Sequence, residues 1–294
     1  MKKDTLEKHT QLCNFVMNYI YQYIDTNINI DELCVELAIS KFHLHRIFKE
    51  EFGRNIYETI KSIRLQKASN LLICNQFSTI TQIAKMCGYS SQTSFIRTFK
   101  ERFLMTPKEW RKQGYLEYSN TILKASASAF NSNATFENIE ATVVKMPALD
   151  VYYLRHQGYD RSIKQTWQKL QVWALGHNLK NYRQIGLHHD NPILNDLKQC
   201  QYVACIELSN EDKTRLTHSS IPHFTIPQGV YAKFHVSGQY GDVLKLIQWV
   251  YHTWLIKSGY ETTTHPSYAI YDRNHFLEDN EEFILDYYVP IALY

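Results

Sequence analysis

The stretch SKFHLHRIFKEEFG, residues 40–53, carries apolar residues at Phe42, Leu44, Ile47, Phe48 and Phe52. That spacing marks the inner face of a helix. Lys41, His43, His45, Arg46 and Lys49 load the rest of it with positive or titratable groups. Such a helix is either a solvated surface element or one shaped to lie against something negatively charged. Its neighbours decide between them.

Immediately upstream, IDELCVELAIS (30–40) reads as a helix capped by Asn29, with Asp31 and Glu32 suited to its N-terminus and Ser40 placed to cap the next. A helix, a tight turn and a second helix form a helix-turn-helix, whose second helix enters the DNA major groove. The pattern returns some fifty residues later as TITQIAKMCGYSSQTSFIRTFKERF (79–103). There Ile83, Ala84 and Cys87 form the inner side of the first helix, Gly88 supplies the turn, and Phe95 and Phe99 anchor the second. Between the two lies a long amphipathic run, IYETIKSIRLQKASNLLI (56–73), with Arg64 and Lys67. One such pair is a weak signal; two on one chain, at this distance, are specific.

Charge agrees with that reading. The chain has 294 residues and a net charge of +3, but residues 1–112 hold 17 Lys and Arg against 11 Asp and Glu, and the remainder 15 against 18. The N-terminal part is therefore the one suited to a polyanion. With 44% hydrophobic and 21% charged residues the chain reads as ordinary globular protein of two domains. No apolar run reaches the roughly 20 residues of a membrane span. The opening MKKDTLEKHTQL lacks the apolar stretch of a secretion signal, so a cytoplasmic location is expected. The six cysteines, at 13, 34, 74, 87, 200 and 205, have no metal-ligand spacing and read as buried thiols, so neither metal nor cofactor is expected.

The fold class that follows is α+β: an all-α double helix-turn-helix domain over 1–113, a linker over 114–139, and a second domain over 140–294. The linker is inferred from Ser-, Asn- and Ala-rich sequence without a steady period, part of which could still be helical. Beyond it, strand-like runs and two helical runs follow in the order strand, helix, strand, strand, twice over. The echo is visible in YYLRHQGYDRS before the first helix and AKFHVSGQYGDV before the second. Each helix carries two tryptophans, Trp167 and Trp173, then Trp249 and Trp254. A duplicated βαββ domain with a seam between its halves is expected.

Residues 30–111 resemble the DNA-binding domain of the AraC/XylS transcription regulators, through ISKFHLHRIFKEEFG, IRLQKASNLL and ITQIAKMCGYSSQTSFIRTFKERFLMTPKEWR. The resemblance implies two recognition helices in successive major grooves on one face of double-stranded DNA, about 34 Å apart. Carried over by position, Phe42, His45 and Arg46 would face DNA from the first helix, and Gln92, Thr93 and Arg97 from the second. Arg can hold guanine and Gln adenine in bidentate fashion, and Lys41 and Ser91 suit phosphates. Alone, an outward His45 or Gln92 is most often just solvated, and an aromatic at a helix start, such as Phe42, can be core.

Residues 140–294 resemble the gyrase-inhibitor-like effector-binding domains, through YLRHQGYDRSIKQTWQKLQVWA, IGLHHDNP, KFHVSGQYGDVLKLIQWVYHTWLIKSGY and ILDYYVP. In that family an aromatic groove takes a small, aromatic or cationic effector, with a carboxylate four residues before the closing Pro. Here that position is Asp286, where Glu is usual, before Pro290. Trp249, Tyr268 and Tyr288 are the expected groove walls, and His188 a weaker candidate. From alternation alone Asp286 sits either on a solvated face or buried with a partner.

Placing the DNA-binding domain first resembles the Rob-type branch. The expectation is a non-enzymatic regulator, acting as a monomer or weak dimer on the nucleoid and contacting RNA polymerase, with no membrane partner. The alternative is a small-molecule hydrolase or a sequestering activity in the C-terminal domain, for which Asp286 and Tyr288 would serve without a nucleophile–base set.

Overall fold

The computed structural model describes residues 3–216 and 219–293. Helices α1 (Lys3–Gln22), α2 (Ile30–Glu36) and α3 (Lys41–Phe52) form the first motif, and α4 (Ile56–Cys74) runs on to α5 (Ile80–Met86) and α6 (Gln92–Phe103), the second. The caps are chemical. Asn29 accepts from the amides of Asp31 and Glu32, Ser40 from that of His43 and Ser91 from that of Ser94. Reciprocal capping boxes join Asn55 to Glu58 and Thr79 to Gln82.

Gly88 (φ 74°) makes the turn of the second motif. A Cβ there would lie 2.6 Å from the carbonyl oxygen of Ile24 and 2.7 Å from the Arg64 guanidinium, so glycine is required by conformation and by space. The long-helix arginine is thereby spoken for: Arg64 donates to the carbonyls of Ile24 and Thr26, closing the open end behind α1.

After the short α7 (Pro107–Glu109) and a turn through Gly114 come α8 (Tyr115–Ala125) and α9 (Ala127–Asn131). Part of the expected linker is therefore helical, an alternative its sequence had left open. Tyr115, Ser119 and Leu123 are buried at four-residue spacing, and α9 packs on the second domain. Small polar residues on the outer face hid that period.

The C-terminal domain is built from β1 (Thr142–Met146), β2 (Leu149–Gln157), α10 (Ile163–Gly176), β3 (Tyr182–His188), β4 (Gln201–Leu208), the short α11 (Asn210–Arg215), β5 (His223–Ile226) and β6 (Gly229–Gln239). Then follow α12 (Asp242–Trp249), continuing through a π-turn into α13 (Leu255–Ser258), β7 (Tyr260–Thr262), β8 (Ser267–Arg273) and β9 (Glu282–Leu293). The antiparallel sheet has the order β1-β6-β9-β8-β3-β4-β2-β5, with β7 on β9 at one side. The halves β2-α10-β3-β4 and β6-α12-β8-β9 meet where β3 pairs with β8. Each half also lends a strand to the other: β1 flanks β6, and β5 flanks β2. The duplication is therefore a pseudo-two-fold with exchanged edges.

One face of the sheet packs under α10 and α12, where Trp167, Tyr202, Phe234 and Tyr287 are buried. The opposite face carries a separate apolar layer that includes Val151, Tyr153, Ile185, Tyr231, Tyr268 and Tyr288. All six cysteines are buried and free. Among the described residues no helix is long and apolar enough to cross a membrane.

Candidate functional site

The two recognition helices turn their apolar faces inward and their polar faces out. On α3, Leu44, Ile47 and Phe48 are buried, while Lys41 and Arg46 are exposed. Phe42 is 80% exposed, which removes it from the core and from the inner face its spacing suggested. Lys41 pairs with Asp31 at 2.8 Å and Arg46 with Glu50 at 2.9 Å. Both pairs are exposed, where they contribute little and exchange readily for a phosphate or a base edge. His45 is half-buried beside Tyr57; desolvation, then the charge of Lys41, hold its imidazole below its usual pKa. It therefore stays neutral near pH 7, able to donate and accept. His43 turns the other way, its Nε2 3.4 Å from that of His9 on α1.

On α6, Phe95, Phe99 and Phe103 are buried, and Ser91, Gln92, Thr93 and Arg97 are all exposed. The Thr81 hydroxyl donates to Gln92 Oε1 at 2.7 Å, which fixes the amide's orientation at the helix start. Ser91 Oγ caps the helix, so its hydroxyl proton faces away from the accepted amide. Of the eight expected DNA-facing side chains, seven are exposed and His45 is half-buried; Lys41 and Arg46 are held by ion pairs, and Ser91 caps its helix.

On the sheet's helix-free face, Tyr268 and Tyr288 stack with centroids 4.9 Å apart and planes 15° from parallel, and Tyr231 stands edge-on to Tyr268 at 5.3 Å. Tyr268 is only 1% exposed, so these rings close on one another. Burial pushes the phenols of Tyr231 and Tyr288 up to about 12, with Asp286 adding to the second, so both stay neutral donors. Asp286 shares this face, but it is not a lone charge. Lys233 Nζ lies 3.1 Å and His235 Nδ1 2.8 Å from its oxygens.

Two expected wall residues lie elsewhere. Trp249 packs edge-on against Phe234 on the helix-covered face, and His188 sits behind the sheet among Tyr159, Tyr202 and Tyr287. A helix tryptophan near the seam can face either layer, and His188 has the opposite strand parity to its buried neighbour Leu187. The aromatics missed were Tyr153 and Tyr231; Tyr231, Lys233 and His235 share one strand parity, a signal that was available. Among the described residues no group of three or more His, Cys, Asp or Glu could hold a metal.

The two regions touch through α1. Asn18 donates to the Tyr153 hydroxyl at 2.8 Å, and Arg155 donates to Asn14 and Asn18. Tyr21 stacks on His189 with centroids 3.6 Å apart. Since Tyr153 belongs to the helix-free layer, the helix behind the first recognition helix is bonded directly to that face of the sheet. Further on, Asn75 and Thr262 exchange two hydrogen bonds at 3.0 Å.

Comparison with known proteins agrees with this division. Residues 140–292 match the family model of a GyrI-like small molecule binding domain, and residues 33–113 that of a helix-turn-helix domain. The chain is 39% identical over 95 residues to the xylose operon regulatory protein of Escherichia coli (strain K12), which covers 32% of this chain and 24% of that one. It is 37% identical over 105 residues to the probable transcription factor PqrA of Proteus vulgaris, covering 34% of this chain and 85% of that one. The chain thus spans about a quarter of the first relative and most of the second.

Proposed function

The chain belongs to the proteins with a GyrI-like small-molecule-binding domain, carried here behind an AraC-type helix-turn-helix domain, and from that premise we propose that it is a transcription regulator that reads two successive major grooves and answers to a small aromatic effector. The observation that carries the DNA half is the pair of open helix faces, Phe42, His45 and Arg46 on one and Gln92, Thr93 and Arg97 on the other. Two reading heads on one chain suit an asymmetric site bound by a monomer, with RNA polymerase as the partner at the promoter.

For the effector, the stacked Tyr268 and Tyr288 favour a flat aromatic molecule that parts or replaces the stack. A cationic effector is the weaker choice, because Asp286 already has an ion pair with Lys233 and a hydrogen-bond partner in His235. Binding changes transcription to the extent that it favours one arrangement of the domains over another; the Asn18–Tyr153 bond is the route for it.

The test is selection of a binding site from random duplexes with the full chain, followed by Arg46→Ala and Arg97→Ala on the selected site. Each substitution should cost about 1–3 kcal/mol on the selected sequence and relax the base preference in one groove only. A chain that selects no sequence, or Arg variants with unchanged preference, would contradict the assigned contacts.

A further inference from the structure

A polar cavity of about 180 Å³ lies between the two domains; Tyr268 and Tyr288 are not among its walls, while its wall residue Arg155 lies 5.2 Å over the Tyr153 ring. Its walls come from both: Tyr21 on α1, Glu51 at the end of α3, Arg54 beyond it and Gln66 on α4 from the DNA-binding side, with Arg155 on β2 and Asp190 after β3 from the other. It therefore opens directly onto the last turn of the first recognition helix.

The lining is chemically unfinished. Arg155 Nη1, Gln66 Oε1 and Asp190 Oδ1 are buried without a hydrogen-bond partner among the described residues. Asp190 is 4% exposed; its other oxygen accepts from the amide of Gln201 at 2.8 Å. Unpaired polar atoms in such a place are costly, and each calls for a partner. Glu51 is held by Thr10, whose hydroxyl donates to it at 3.1 Å. Arg54 enters no ion pair among the described residues.

Charge says what kind of partner. Arg54 and Arg155 face the cavity and the buried Lys67 lies behind Asp190, against the carboxylates of Glu51 and Asp190. Burial pushes Asp190 up to about 6, so this carboxylate is readily neutralised and the positive surplus grows. Water would satisfy the free donors and acceptors but leave that surplus. An apolar cavity of about 150 Å³ holds benzene, so this one suits a molecule of roughly that size or slightly larger.

We propose that this interdomain cavity is a second ligand site, for a small hydroxy acid whose carboxylate lies on Arg54 and Arg155 and whose hydroxyl groups donate to Gln66 and Asp190. Arg54 can meet a carboxylate in bidentate fashion, Arg155 adds its one free nitrogen, Nη1, and the orphaned acceptors take the hydroxyl protons. Because both domains form the walls, such a ligand binds only when they are docked and stabilises that arrangement by mass action. The site would thus report a polar metabolite to the first recognition helix.

The experiment is calorimetry and thermal shift on the full chain with glycerate and malate, against glycerol as the neutral counterpart and inorganic phosphate as a plain anion. Glycerate or malate should bind saturably at millimolar concentration or below, and more tightly than glycerol or phosphate. Arg54→Met should weaken the acid at least about tenfold, which is the loss of about 1.4 kcal/mol. Asp190→Asn keeps an oxygen acceptor and removes a like charge, so it should hold or tighten the same acid. No saturable binding of either acid, glycerol or phosphate binding as well as the acids, or equal weakening by both substitutions would overturn the proposal. These acids have no aromatic ring, so the outcome does not depend on the tyrosine face.

Discussion

The two helix-turn-helix units look alike in sequence but are held differently. The first, built on α1, α2, α3 and the start of α4, has a core of its own from Cys13 to Ile63, with Phe48 at its centre. The second has none: Phe95, Phe99, Phe103 and Trp110 belong to one apolar body that runs through α4 and α8 into Trp167, Tyr251 and Leu285 of the C-terminal domain. The first meets that domain through hydrogen bonds, a ring stack and a polar cavity without sharing its core, whereas the second adds the Asn75–Thr262 and Ser78–Glu261 bonds to a shared core. A wet interface yields more readily than a shared core. The second recognition helix is a fixed part of the effector domain, and the first is the part that a ligand can move.

The largest test of that difference is paired truncation. Phe48→Ala and Phe99→Ala each remove a fully buried ring and should each cost about 3–5 kcal/mol. All five tryptophans lie at or beyond residue 110, so tryptophan fluorescence reports only the larger body. Phe99→Ala should shift the fluorescence unfolding transition strongly and Phe48→Ala should scarcely move it. Equal shifts would make the two units one.

Acid should sharpen the contrast. The buried His188 has no hydrogen-bond partner for either ring nitrogen among the described residues, and desolvation pushes its pKa down to about 4. Between that value and the usual 6.5 the unfolded chain takes up a proton that the folded chain refuses, so stability is intact above the window and falls as pH drops through it. The loss approaches about 3 kcal/mol at the bottom of the window. His252 and His275 act in the same direction. Asp190, pushed up, acts oppositely: its burial costs stability as pH rises from 3.8 through about 6. Urea midpoints read by fluorescence should fall between pH 7 and pH 5, less steeply in His188→Phe. No fully buried histidine belongs to the first unit's core among the described residues, so its melting should respond less.

A smaller effect isolates the contact of α1 with the second domain. Asn18→Ala removes the bonds to Tyr153 and Arg155 and should cost about 1–2 kcal/mol, seen as faster amide exchange in α1 and α3 with α6 unchanged. The smallest change in stability comes from Arg46→Gln, where an exposed ion pair with Glu50 is lost and unfolding should move by less than about 0.5 kcal/mol. Affinity for selected DNA should nevertheless fall about tenfold.

Much of this was legible in advance because it is local. Ser40 caps its helix as its position predicted, Gly88 turns where the spacing placed it, and the βαββ echo is the sheet's own symmetry. What escaped depends on contacts distant in sequence. The Tyr115, Ser119 and Leu123 period was masked by small outer residues, and the side of the sheet met by Trp249 is decided by how α12 rolls onto Phe234. Asp286 could be placed on a face by alternation, but its pairing with Lys233 and His235 needed the register of β6 on β9. The docking of α1 on Tyr153 spans 135 positions and leaves no local trace.

The central claim, that one reading head is free to move and the other is welded to the effector domain, is tested most directly by native-state hydrogen exchange of the full chain in rising denaturant. Amides of α1, α2 and α3 should exchange through an opening of lower free energy, while those of α6 join α10 and the central strands in a single, higher opening. If α3 and α6 open together, at the same free energy and with the same denaturant dependence, the asymmetry is absent and the proposed route from effector to DNA fails with it.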